Sequence, residues 1–229
     1  MAKFSRFSLA FAAGCLLGSG TFMHPAGAAT YTSSAAFDAA TAGDPFTVEN
    51  YSSGTDGQTI ANPSSFDGLT YSFAAGPGGT LTGGIITSEF NSFGVLSLGG
   101  NQSGGGQFFF GGDSVTVTFP QPVYAVGVFF NVNPNSGNYD LDTPVGDVST
   151  GSGTYDTSTF VFDGITSGTP FTSITLVSEN SSLGSYNVPE IEFATPLPTA
   201  LPLFATGLGA MGLLGWRRKR KNTAGIAAA

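Results

Sequence analysis

Between Ala29 and Thr195 the chain carries all fifteen of its Asp and Glu residues and no Lys, Arg, His or Cys. A segment of that kind closes no ion pair or disulfide of its own. Its fold must rest on apolar burial and on hydrogen bonds among backbone, hydroxyl and amide groups. The many Phe, Val, Ile and Tyr residues can supply a core, which argues against disorder. The segment has the length of one ordinary domain.

Strand signals dominate it. Residues 114–119 (SVTVTF) alternate, with Val115, Val117 and Phe119 on one face. Residues 123–132 (VYAVGVFFNV) are apolar on both faces, as in a strand central to a packed sandwich. The intervening Pro120-Gln121-Pro122 predicts a tight connection and an antiparallel pair. Further strands are predicted over 69–73, 94–98, 107–110, 158–162, 173–178 and 188–193. Gly- and Asn-rich runs at 99–106 and 133–138 separate them, and a short helix is predicted over 34–41. Many short strands without intervening helices predict an all-β fold: a single antiparallel β-sandwich of jelly-roll, lectin-like type over 29–194.

This composition excludes much chemistry. There is no Ser-His-Asp triad, thiolate nucleophile, Lys Schiff base or Arg clamp, and no His/Cys zinc or copper site. Nucleic acid is an unsuitable partner for an acidic segment without a cation to displace counterions. What remains is carboxylate chemistry. Glu190 and Glu192, two apart, share a face if 188–193 is a strand, with Ile191 turned to the core. They read as a surface acidic stripe, or as a glycosidase pair. Asp140, Asp142 and Asp147, in a predicted loop over 133–148 with Asn135 and Asn138, are candidate calcium ligands. Asp113 and Asp163 are second-rank candidates. The aromatic rows Phe108–Phe110 and Phe129-Phe130 read as core with an edge residue, since successive strand residues alternate faces. Tyr124, Tyr139, Tyr155 and Tyr186 are the candidates for stacking on sugar rings.

The two ends differ from the middle. Residues 1–28 have a basic start, an apolar run and a small-residue finish at Ala26-Gly27-Ala28, the layout of a signal peptide cut before Ala29 or one residue away. Cys15, in Ala12-Ala13-Gly14-Cys15, is a loose match to a lipoprotein box and otherwise a small apolar residue of that peptide. Residues 200–216 (ALPLFATGLGAMGLLGW) hold no charge and as a helix reach roughly 26 Å, close to the ~30 Å hydrocarbon core. A membrane helix is predicted over 199–216. The cluster Arg217, Arg218, Lys219, Arg220 and Lys221 then stays on the cytoplasmic side, with residues 222–229 as a short tail.

Thr195-Pro196-Leu197-Pro198-Thr199, the Gly- and Leu-rich helix and the terminal basic cluster together resemble a PEP-CTERM protein-sorting domain over 195–221. Leu197 stands where the name-giving form has Glu, so the element is closer to the Val-Pro-Leu-Pro-Ala variant. That resemblance implies an exosortase as partner, export by the secretion machinery across the inner membrane of a Gram-negative bacterium, and transient anchoring before release to the cell surface. Residues 159–193 also look like the closing strands of lectin-like domains carried by such proteins, although Pro189 and Glu190 depart from the pattern. The expected function is that of an exported, non-catalytic surface or matrix protein associated with exopolysaccharide. The alternatives are a lectin-like carbohydrate-binding module that uses calcium, and a glycoside hydrolase.

Overall fold

The computed structural model describes residues 27–89, 95–132, 136–150, 153–154, 160–178 and 185–195, together with Met211. Outside them lie residues 1–26 with Ala26, the motif residues Pro196, Leu197, Pro198 and Thr199, the rest of the expected membrane helix and the basic cluster. Among the described residues no helix is long and apolar enough to cross a membrane.

The described chain opens with β1 (Ala29–Tyr31) and α1 (Ser34–Ala40), close to the helix predicted over 34–41. Thr41 ends that helix, its hydroxyl donating to the Phe37 carbonyl at 2.8 Å. Next come β2 (Phe46–Glu49), β3 (Thr59–Ile60), β4 (Ser64–Phe66) and β5 (Leu69–Ala74). β5 falls on the strand predicted over 69–73, and its residues alternate: Leu69, Tyr71 and Phe73 are buried while Thr70, Ser72 and Ala74 are exposed.

Strands β6 (Leu81–Thr87) and β7 (Ser97–Gln102) both contain glycines, and those of β7 fall in the run over 99–106 that the sequence pattern reads as a separator. The strand predicted over 94–98 therefore extends into the expected separator. Close backbone approach explains two of these glycines. A Cβ on Gly99 would lie 2.1 Å from the Gln107 carbonyl oxygen, and one on Gly84 2.4 Å from the Phe73 ring. The strand predicted over 107–110 is absent; Phe109 instead makes an isolated bridge to Tyr186.

The largest correction concerns the two long strands. Residues 114–119 and 123–132 do not pair with each other; they form one continuous strand, β8 (Ser114–Val132). It is followed by β9 (Ser136–Gly137), β10 (Tyr139–Thr143), β11 (Gly146–Ser149), β12 (Gly153–Thr154), β13 (Phe160–Ser178) and β14 (Tyr186–Ala194). Thus 133–148 is not simply a loop: β10 and β11 make an antiparallel hairpin. Pro120 and Pro122 survive within β8 because the β13 register shifts between Thr166 and Ser173, so neither proline is asked for a ladder N–H.

The strand order is β11-β10-β13-β8-β14-β7-β6-β3. The first half of β8 lies between β5 and the second half of β13; its second half lies between the first half of β13 and β14. The sheet is thereby folded over. Val115, Val117, Leu141, Ile174 and Leu176 from one layer share a core with Val126, Val128, Phe130, Ile165, Val188 and Ile191 from the other. Phe130 meets Tyr139 across it with ring centroids 5.8 Å apart. The expectation of an antiparallel all-β fold holds.

Candidate functional site

The second half of β8 and its partners β13 and β14 present an outer face opposite this core. Cross-strand register aligns Phe162, Phe129 and Glu190, then Gly127 and Glu192. Ile191 is fully buried on the core side, so Glu190 and Glu192 point outward together as predicted. At one end α1 covers this face: Phe37 packs against Phe162 at 5.5 Å, with Tyr31 at 5.6 Å and Phe46 at 5.7 Å.

A groove of about 480 Å³ also lies on this face. Phe129, Phe160, Leu96 and Pro189 supply apolar walls, and Asn50, Ser52 and Glu190 supply polar groups. Phe129 is steadied by an edge-on contact with its cross-strand neighbour Phe162 at 5.0 Å. The arrangement is chemically simple: ring surface flanked by hydrogen-bonding groups, with no cationic side chain from residues 29–195.

Carboxyl groups crowd the same face. Burial, then the charge of Asp38, holds Glu190 above the usual carboxylate range. Burial first, then Asp38 and Glu190, pushes Glu192 up to about 7. Glu192 occupies space left by Gly127, where a Cβ would come within 2.7 Å of its Oε1. Of this pair only Glu190 lines the groove. A glycosidase needs two carboxyls that flank the sugar, whereas Glu190 and Glu192 project from the same face of one strand.

The tyrosines weighed for sugar stacking are placed differently. Tyr139 and Tyr186 are fully buried, Tyr124 is buried beneath α1, and Tyr155 lies outside the described residues. The first two occupy inward strand positions, where the ring fills the core; the Tyr186 hydroxyl lies 3.1 Å from the Leu176 carbonyl oxygen. The aromatic surface of the groove comes instead from the half-buried Phe129 and Phe160. The doublet Phe129-Phe130 splits between faces, as alternation requires.

Asp140, Asp142 and Asp147 lie on the β10–β11 hairpin, with Asp142 directly opposite Asp147. Asp140 is buried, whereas Asp147 is exposed and accepts from the Thr143 N–H at 3.4 Å. Among the described residues no group of three or more His, Cys, Asp or Glu is placed to hold a metal ion. Asp113 is fully buried and occupied in fastening loops: it accepts from Gly76 N–H at 2.8 Å, Gln102 Nε2 at 2.7 Å and Phe110 N–H at 3.0 Å.

Fold and groove together describe an antiparallel β protein with an aromatic, acidic cleft on one sheet face. No protein-family model and no curated protein matches the sequence. Among solved structures, the K2 cleaved adhesin domain of Lys-gingipain is 13% identical with a TM-score of 0.41, the match covering 66% of this chain and 100% of that one. The CBM22-1 xylan-binding domain of Paenibacillus barcinonensis Xyn10C is 11% identical with a TM-score of 0.33, covering 63% of this chain and 99% of that one. A CBM29-2 carbohydrate-binding module is 9% identical with a TM-score of 0.34, covering 66% and 87%. Likenesses at this level assign no family, and the chain's own residues must carry any functional reading.

Proposed function

We propose that this protein is a non-catalytic, lectin-like β-sandwich that binds a neutral polysaccharide in the groove of Phe129 and Phe160. The observation that carries this reading is the juxtaposition of two phenylalanine rings with Asn50, Ser52 and Glu190 in one cleft. Sugar rings present apolar C–H faces to aromatics and hydroxyls to amide and carboxylate groups, the mixture expected of a site for such a ligand. The acidic charge around the cleft disfavours anionic glycans. Replacing Phe160, which is only partly buried, by alanine is expected to weaken polysaccharide binding at least tenfold, about 1.4 kcal/mol. Affinity electrophoresis in gels cast with neutral polysaccharides checks this. Retardation of the variant equal to that of the parent chain would reject the groove as the binding surface.

The ends supply the setting. We infer export through the signal peptide and processing by an exosortase near Pro196, Leu197 and Pro198, placing the protein at the cell surface in a polysaccharide layer. This reading is supported by the uncharged run at 200–216 followed at once by five cations. Mass spectrometry of the mature C-terminus is expected to show a chain lacking Trp216 and the basic cluster in cells with an exosortase, and retaining them in cells without. A tail that keeps both in either background refutes processing.

A further inference from the structure

The polar wall of the groove is set by the turn that follows β2. Glu49, the last residue of β2, pairs with the core residue Ile191 of β14 and is buried with it. One position further on, Asn50 and Glu190 both line the groove, one beyond the end of β2 and the other in β14. Tyr51 turns inward and is fully buried, its ring stacked on Phe66 at 6.2 Å and 6.5 Å from Tyr71. Ser52 comes back to the groove.

Tyr51 has a φ of 58°, the left-handed region that an aromatic residue seldom adopts. Two restraints hold it there. Its ring is locked in the core, and its N–H donates to Glu49 Oε1 at 2.6 Å. The Gly54 N–H closes the turn by donating to the Tyr51 carbonyl at 3.0 Å. Within this turn the Ser52 N–H donates to Asn50 Oδ1 at 3.2 Å. That bond decides what Asn50 offers a ligand: its oxygen is engaged, so it presents the N–H groups of its amide. Among the described side chains of the groove, Asn50 alone carries N–H groups.

We propose that Glu49 and Tyr51 are positioning residues that hold Asn50 as the groove's amide donor, so that Asn50 and Glu190 together select glycans with free hydroxyls. This inference rests on the reading of the groove as a site for a neutral polysaccharide. A sugar hydroxyl both accepts and donates. One that accepts from Asn50 Nδ2 offers its own proton, or leaves that of the adjacent hydroxyl, to the Glu190 carboxylate. An ether at the donating position leaves that carboxylate without a partner, and a site built on paired hydrogen bonds rejects such an analogue. The turn is set by core packing and by Glu49 before a ligand arrives, so binding orders little. Glu49 itself is buried behind the wall and acts only through the Tyr51 N–H.

The test is affinity electrophoresis of the full chain in gels cast with dextran, galactomannan or mixed-linkage β-glucan, with thermal melts to show that each variant folds. Asn50→Asp keeps the acceptor for the Ser52 N–H and loses the donor; it is expected to weaken retention at least about tenfold. Glu49→Leu leaves the Tyr51 N–H without its acceptor and is expected to weaken retention to a similar degree. Glu49→Gln, whose amide oxygen takes the same bond, is expected to restore it to within about threefold of the parent chain. The O-methylated form of the retaining polysaccharide is expected to hold the parent chain at least about tenfold less well. If Glu49→Leu does not fold, Asn50→Asp, at an exposed position, supplies the comparison. Suppose the parent chain is retained. Equal retention of folded Asn50→Asp or Glu49→Leu, equal retention on the methyl ether, or a Glu49→Gln variant as weak as Glu49→Leu then overturns this proposal and leaves the groove reading standing. A parent chain retained by none of these polysaccharides overturns both.

Discussion

Tyr186→Ala is expected to remove about 4 kcal/mol of folding free energy, within the range for deleting a large buried aromatic and a large share of a typical domain's total. Tyr186 is fully buried and stands where the layers meet. Its ring stacks on Phe109 at 5.0 Å and contacts Phe130 and Tyr139 at 5.7 Å each. Its backbone exchanges two 3.0 Å hydrogen bonds with Phe109, and its hydroxyl reaches the Leu176 and Asp113 carbonyls at 3.1 and 3.3 Å. The alanine variant leaves a cavity, loses aromatic packing and strands carbonyls that the hydroxyl had served. Tyr186→Phe keeps the ring and is expected to cost only about 1–2 kcal/mol. Urea unfolding checks both, with a lower midpoint at unchanged slope as the expected signature. An alanine variant as stable as the parent chain would contradict this description of the core.

The second large effect is a loss of stability with rising pH. Asp163 is raised to about 8, and Glu49 and Glu192 to about 7, each first by burial. A carboxyl whose folded value lies above its unfolded value binds its proton more tightly in the folded state. Its contribution is fully present below about pH 4 and is lost as pH rises through 7 to 8. Asp56 works in the opposite sense, since hydrogen bonds from Ser88 hold it low; its contribution fades only at strongly acid pH. After discounting the glutamates for solvent screening, the net loss between pH 5 and 8 is about 4 kcal/mol, or ~10 °C in melting temperature. Thermal melts across that range measure it. A melting temperature that is flat or rises towards pH 8 would show that these groups are solvated.

What the sequence made legible was whatever follows from alternation. The buried face of β5, the outward pairing of Glu190 and Glu192 around a core Ile191, and the split of Phe129 from Phe130 all follow from a period of two. Long-range geometry was not legible. Pro120 and Pro122 look like a turn because local chemistry favours one; only the register shift in β13 opposite them lets a strand continue. Gly99 and Gly100 fall in a run that looks like a loop, yet they sit in a strand where a side chain has no room. The groove was missed for a related reason. Amphipathic tyrosines are the natural guess for a sugar platform, but Tyr139 and Tyr186 fill the core, and the rings lining the groove are half-buried phenylalanines brought together from β8 and β13.

The central claim is that the outer face of β13, β8 and β14 recognises a neutral glycan. A neutral-polysaccharide panel probed with the full chain and its Phe160→Ala variant tests that most directly. The account predicts retention on at least one polysaccharide and at least a tenfold loss in the variant. Retention on none, or equal retention of both proteins, would contradict it.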